Sequence, residues 1–209
     1  MQGLLRKLLM TAVTAAVGTG ILAAPASAGV LVKSATNCDQ PSLSKPFSGF
    51  GDTTNYFLAP QGSFESTPDR WALSGGTRVV SDNEPWKVSG AGSHALHIPA
   101  GGSATTPTIC VGLDHPTIRF FARRTSGLPL LSTLAVSVQV ETSLGLVVTV
   151  PVNAVLLSNS QWAPTGQMLI VANLLPLLPG EMTPIRLRFS SVLGDFRIDD
   201  VYVDPRCRL

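Results

Sequence analysis

The chain has 209 residues, of which 44% are apolar and only 13% charged, with 19 Gly and 16 Pro. That composition excludes a coiled coil, a bundle of long helices and a charged disordered chain, while the length allows one or two domains with a substantial core. A formal charge of +2, a pI near 8.6 and a mean hydropathy of +0.29 suggest a basic, membrane-leaning protein, until the N-terminus is set apart.

Arg6 and Lys7 precede an uncharged apolar stretch from Leu8 to Ala24, and Ala26-Ser27-Ala28 supplies the small residues that a signal peptidase accepts. Residues 1–28 read as an export signal cleaved after Ala28. The alternative, a membrane anchor, is weakened by Thr11, Thr14, Gly18, Thr19 and Gly20 within the stretch. Cleavage removes two basic and no acidic residues, so the mature chain has no net charge. Nucleic-acid binding driven by overall charge loses its basis. The longest later apolar run, Leu144–Leu157, is interrupted by Thr149, Pro151 and Asn153, so no membrane span is expected after the signal. The product is expected to be secreted, soluble or held non-covalently at the envelope.

Residues 29–45 read as a lead-in, and residues 46–206 as a single domain. Three pairings can form among Cys38, Cys110 and Cys207 in the oxidising compartment that export implies. Cys207 lies where chain ends fray, which favours Cys38–Cys110 and leaves Cys207 free or available for dimerisation. No Cys-x-x-Cys pair is present to suggest a metal or redox role.

Helical periodicity is nearly absent. Ser93–Ile98, Thr117–Arg123, Ala135–Glu141, Leu146–Val150, Gln167–Val171, Ile185–Phe189 and Phe196–Val203 are short runs rich in Val, Ile, Thr and aromatics. Turn clusters such as Ser74-Gly75-Gly76, Pro99–Gly102, Ser126-Gly127 and Pro179-Gly180 separate such runs. The pattern predicts an all-β fold, a jelly-roll β-sandwich of two antiparallel sheets. Strand parity assigns faces. Ile118, Phe120 and Ala122 share one side, and Arg119, Phe121 and Arg123 the other. Ile185, Leu187 and Phe189 point inward, Arg186 and Arg188 outward. The outward arginines, with Phe121 among them, mark a candidate binding face; the plainer alternative is a solvated sheet face.

The two ends of the domain carry the most specific motifs. Gly62-Ser63-Phe64-Glu65 stands near its start, followed by Trp71, and Phe196–Asp204 closes it with Ile198-Asp199-Asp200-Val201-Tyr202-Val203. Parity counted from Val201 and Val203 places Asp199 inward, whereas Ile198 is inward by its own neighbours. The strand must therefore kink or bulge at Asp199-Asp200. These ends resemble the first and last strands of carbohydrate-binding modules with the galactose-binding-like jelly-roll fold. The resemblance implies a structural Ca²⁺ held by Glu65 and Asp199, with Asp200 as a further candidate; hard oxygen ligands suit that ion. More closely, the chain resembles a group of secreted actinobacterial proteins of unknown function. That likeness is carried by Gly51-Asp52, Leu58–Glu65, Asn83-Glu84-Pro85, Cys110-Val111, Arg119–Arg123 and Ile198–Pro205.

Sugar recognition needs exposed aromatics for pyranose stacking and polar groups for the hydroxyls. Trp86 and Trp162, beside Pro85 and Pro164 in expected loops, are candidates, and Tyr202 is placed toward solvent. Arg119, Arg123, Arg186 and Arg188 would favour an acidic glycan or envelope polymer through bidentate pairing. Enzyme signatures are poor. His94 and His97 have strand-opposed parity, and Gly90-x-Gly92-x-x-Ala95 precedes a strand instead of a phosphate-cradling helix. Nothing in the sequence brings Glu84 and Asp114 together as an acid–base pair. The expectation is a non-catalytic binding module for glycans. The alternative is a structural or protein-interaction role at the envelope, through Cys207 and the apolar segment 170–179.

Overall fold

Alternating apolar and polar residues, cut at short intervals by Gly and Pro, leave the chain one way to bury its apolar side: two sheets stacked face to face. The computed structural model describes residues 35, 38, 41–112, 115, 117–157, 160–170 and 182–205. The expected signal 1–28, Cys207 and the apolar residues 171–179 lie outside the described residues. Among the described residues there are thirteen strands: β1 Phe57–Leu58, β2 Ala72–Ser74, β3 Arg78–Ser81, β4 His94–Ile98, β5 Ser103–Thr105, β6 Ile109–Gly112, β7 Thr117–Arg124, β8 Thr133–Glu141, β9 Val147–Val155, β10 Ala163–Pro164, β11 Met168–Leu169, β12 Met182–Val192 and β13 Phe196–Asp204. No described helix is long and apolar enough to cross a membrane.

The first sheet runs β10-β7-β13-β4-β3, with β1 added on β13 and β11 on β7; the second runs β2-β5-β12-β8-β9, with β6 added on β12. Pairing is antiparallel throughout. This is a jelly-roll β-sandwich, as expected. Between the sheets lie Phe64, Trp71, Leu96, Ile98, Ile118, Phe120, Ile185, Leu187 and Phe189, all buried. Phe120 meets Phe189 edge-on at 5.2 Å, and Trp71 stacks on Phe189 at 6.1 Å. Such pairs add modestly to the larger gain from burying aromatic area.

The expected irregularity at Asp199-Asp200 is present. β13 and β7 change register between Asp199 and Tyr202, and Asp200 has φ +51°. Ile198, Val201 and Val203 all reach the inter-sheet core. The bulge also corrects one expectation. Asp199 pairs with Phe121, so it takes that residue's outer face instead of turning into the core. A loop from β1 completes the bulge: Val201 O accepts from Ala59 N at 2.8 Å, and Val201 N donates to Gly62 O at 3.1 Å. A side chain at Gly62 would stand 2.9 Å from Ala59 O, so the close approach requires glycine.

Cys38 and Cys110 are disulfide-bonded, which ties the lead-in to β6. Ala35 bridges to Met182 and Ser44 to Tyr56. The bond closes a loop spanning 72 positions, so in the chain-entropy account its removal destabilises by about 4 kcal/mol. The double variant Cys38→Ala/Cys110→Ala is expected to lose about that much in urea denaturation while keeping its β circular-dichroism spectrum.

Candidate ligand-binding face

The outer face of the first sheet is not open. A turn at Ser48–Phe50 and the segment to Tyr56 lie over β7 and β13, joined by the loop after β3. Phe47, Tyr56, Phe121 and Tyr202 form a second, buried aromatic cluster there, packed against by Phe50, Val88 and Trp162. Phe47 stacks on Phe121 at 5.5 Å and meets Tyr202 edge-on at 5.7 Å. The sequence reading erred twice here. Phe121 is fully buried, and Tyr202 is 2% exposed instead of facing solvent.

Arg119 is buried with them. Its Nη1 donates to Asp52 Oδ2 at 2.6 Å, its Nε donates to Thr165 O at 2.9 Å, and its Cζ lies 4.2 Å from the Phe47 ring centre. Asp52 also accepts from the Tyr56 hydroxyl at 2.7 Å and from Gln167 Nε2 at 3.3 Å. Burial pulls the Asp52 carboxyl upward, but hydrogen bonds from Thr54, Tyr56 and Arg119 outweigh it and hold it well below its ordinary 3.8. Above this knot opens a cleft of about 450 Å³ whose wall includes Phe50, Asp52, Thr54, Arg119 and Gln167. Phe50 of that wall meets Trp86, which is 46% exposed, ring to ring at 5.0 Å and nearly perpendicular.

Arg123 lies farther along the same face. Its Nη2 reaches Asp82 Oδ2 at 2.7 Å, and its Cζ lies 5.6 Å from the Trp162 ring. Trp162 is half-buried, with Nε1 3.5 Å from Asp82 Oδ1. Arg186 and Arg188 belong elsewhere, on β12 of the second sheet, with contacts to Thr108 and Ser190. The four arginines therefore divide between opposite sides of the sandwich, two to each. Parity found which side of its own sheet each residue occupies, but it carries no information on which sheet that is.

The structure does not bring Glu65 and Asp199 onto shared partners. Glu65 accepts from Ser93 N and His94 N, both at 2.8 Å, and sits 3.2 Å from His94 Nδ1 on the wall of a separate cleft. Asp199 lies beside two other buried carboxylates, Glu84 and Asp200. Glu84 N donates to Asp199 Oδ2 at 3.2 Å, and Glu84 itself accepts from Trp86 N and Val88 N at 2.6 and 2.7 Å. Burial pushes the Asp199 carboxyl up to about 9, with Asp200 adding to the effect; burial and Glu84 push Asp200 up to about 6. Among the described residues, no three His, Cys, Asp or Glu side chains converge as metal ligands. Sequence reasoning missed Glu84, Asp52 and Gln167 as members of this face. Asp52 and Glu84 did stand in motifs that carried the resemblance, and Gln167 gave no signal.

No family model matches the sequence, and no curated protein matches it. Solved structures do share its fold. One contains the CBM22-1 and GH10 modules of Clostridium thermocellum endo-1,4-beta-D-xylanase 10B complexed with xylohexaose; the TM-score is 0.51 at 15% identity, over 69% of this chain and 28% of that one. Another is the CBM22-1–CBM22-2 tandem domain of Paenibacillus barcinonensis Xyn10C, again with TM-score 0.51 and 15% identity, over 72% and 44%. The chain spans less than half the length of either. At this identity the likeness establishes the fold alone.

Because the folded Asp52 carboxyl is depressed, its contribution to stability is present above pH about 4 and lost as pH falls further. Asp52→Asn is expected to flatten the acid side of the stability–pH curve relative to wild type. Arg119→Ala is expected to cost about 3 kcal/mol at pH 7 by stranding Asp52. Urea titrations at a series of pH values check both.

Proposed function

We propose that the protein is a secreted, non-catalytic glycan-binding module whose site is the outer face of the first sheet. One observation carries the reading: Trp86, nearly half exposed, stands against Phe50, which lines a cleft together with Asp52, Thr54, Arg119 and Gln167. An aromatic platform beside donors and acceptors is what a pyranose ring requires, since its C–H face stacks while its hydroxyls take hydrogen bonds. The donors are held in advance. Arg119 is fixed by Thr165 and Asp52, and Gln167 by Asp52 and the Tyr56 hydroxyl at 3.3 Å. Little side-chain entropy is then lost on binding. The xylohexaose complex with a related fold makes β-1,4-xylan the first neutral probe.

Affinity electrophoresis of the full chain on gels containing xylan and other neutral and acidic polysaccharides is expected to retard wild type. Trp86→Ala is expected to weaken the interaction at least about tenfold while keeping the β circular-dichroism spectrum of the folded protein. Free migration of wild type on every polysaccharide removes the reading.

We include a structural calcium ion in the proposal, at Asp199 and Asp200 instead of a Glu65–Asp199 pair. The support is chemical. With Glu84 these are buried carboxylates that no salt bridge reaches among the described residues, and Asp200 Oδ1 is buried without a hydrogen-bond partner. A hard divalent cation would supply the missing positive charge to these oxygens. Millimolar Ca²⁺ is expected to raise the melting temperature by about 5 °C, and EDTA to reverse it. An unchanged melting temperature removes calcium from the proposal and leaves the glycan site standing.

A further inference from the structure

A rank of basic side chains crosses the first sheet at its other end. Arg197 of β13 pairs with Arg123 of β7 on one side and with His97 of β4 on the other, and His97 pairs with Arg78 of β3. Directly paired residues on neighbouring strands share a face, and Arg123 points outward, so all four side chains lie in one line on the outer face. The line covers three strand spacings, about 14 Å. Trp162, beside Arg123, closes it with an aromatic ring.

Like charges directly opposite one another destabilise a sheet, so the paired Arg123 and Arg197, with Arg78 two strands farther on, call for a counterion. The chain supplies too little. Asp82 Oδ2 takes both Arg123, at 2.7 Å, and Arg197, at 2.6 Å. Arg78 donates only to the Gly76 carbonyl, at 3.3 Å. Arg123 Nε, Arg197 Nε and His97 Nδ1, on three adjacent strands, are shut from solvent with no hydrogen-bond partner. Burial pushes the His97 imidazole down; Asp195 opposes this, while Arg78 and Arg197 add to it. Yet the rank is reachable, since the Arg123 and Arg197 side chains are 28% and 25% exposed and Arg78 is exposed.

We infer that Arg123, Arg197, His97 and Arg78, with Trp162, form an anion subsite that takes the uronate carboxylates of an acidic polysaccharide. This deepens the glycan reading and rests on it. A carboxylate matches the fork of a guanidinium and would offset the positive charge that Asp82 leaves on the exposed parts of the rank. The ring of Trp162 suits a pyranose and so favours a sugar polymer as the carrier of the charge. The chain's formal charge is only +2, so the attraction is local to the rank and not a general affinity for polyanions.

The test is calorimetric titration of the full chain with polygalacturonate and alginate oligomers, each against its carboxyl-methylated form, with xylan oligomers in parallel. Binding of an acidic oligomer at least about tenfold tighter than its methyl ester is expected, falling about tenfold in Arg78→Gln and in Arg197→Gln. Arg78→Gln is the variant that keeps the test decisive, because its exposed side chain makes one long hydrogen bond and its loss leaves folding intact. Equal affinity for acid and ester, or wild-type affinity in Arg78→Gln, overturns the inference. Binding of xylan but of neither acidic polymer overturns the subsite and leaves the glycan reading in place; binding of none overturns both.

Discussion

One extra residue in one strand sets the arrangement of the outer face. β13 lies between β7 and β4, and its bulge at Asp200 changes which residues face the core. Without it, a strict alternation from Ile198 would send Val201 and Val203 outward and break the inter-sheet packing. With it, Val201 and Val203 join the core, Tyr202 joins the outer aromatic cluster, and Asp199 lies opposite Phe121. The displaced backbone groups are answered from Ala59 and Gly62, which is why the Leu58–Glu65 stretch and the Asp199–Val203 stretch belong together. A bulge of this kind re-aims side chains at the cost of ladder hydrogen bonds.

The re-aimed face then needs a cover. Phe121 and Tyr202 would expose large apolar area if the sheet ended there, and the segment from Phe47 to Tyr56 and the loop after β3 supply Phe47, Tyr56, Phe50 and Val88 against them. Arg119 is buried in the same layer, and such a charge is tolerable only with a fixed partner. Asp52 is that partner, held in turn by Thr54, Tyr56 and Gln167. The disulfide at Cys38 restricts the unfolded chain and ties the residues before this segment to β6 of the second sheet.

Much of this was legible in the residues. Strands β4, β7, β8, β12 and β13 followed from alternation, the bulge from the clash of two parities across Asp199, and the disulfide from the weak position of Cys207. The covering layer was not legible, and the reason is physical. Parity tells on which side of a strand Phe121 stands, but what lies over it depends on contacts with residues such as Phe47, far away in sequence. Asp52 and Arg119 are 67 positions apart, with no pattern linking them. The same limit hid Glu84, which looks like a simple turn residue beside Pro85 until the loop folds back on Asp199 and Asp200. It also let Arg186 and Arg188 be grouped with Arg119 and Arg123, since two sheets of a sandwich repeat the same alternation.

The distinction between the two halves of the outer face follows from where the cover ends. Along β7 the outward positions are Arg119, Phe121 and Arg123, about 13 Å from first to last. The first two lie beneath the cover, and their burial makes them supports: they fix Asp52, Gln167 and the base of Trp86. Arg123 lies past it, a quarter exposed, at the head of the basic rank. A fully covered face could hold no polymer, and a fully open one would present mobile arginines that lose entropy on binding. A face half covered gives rigid groups with one side in water, which is the condition for selective recognition. Asp82 sits where the two halves meet, accepting from Arg123 and Arg197 and lying against Trp162. Its single carboxylate holds both guanidiniums in place without neutralising both, so a net positive charge stays on the open half.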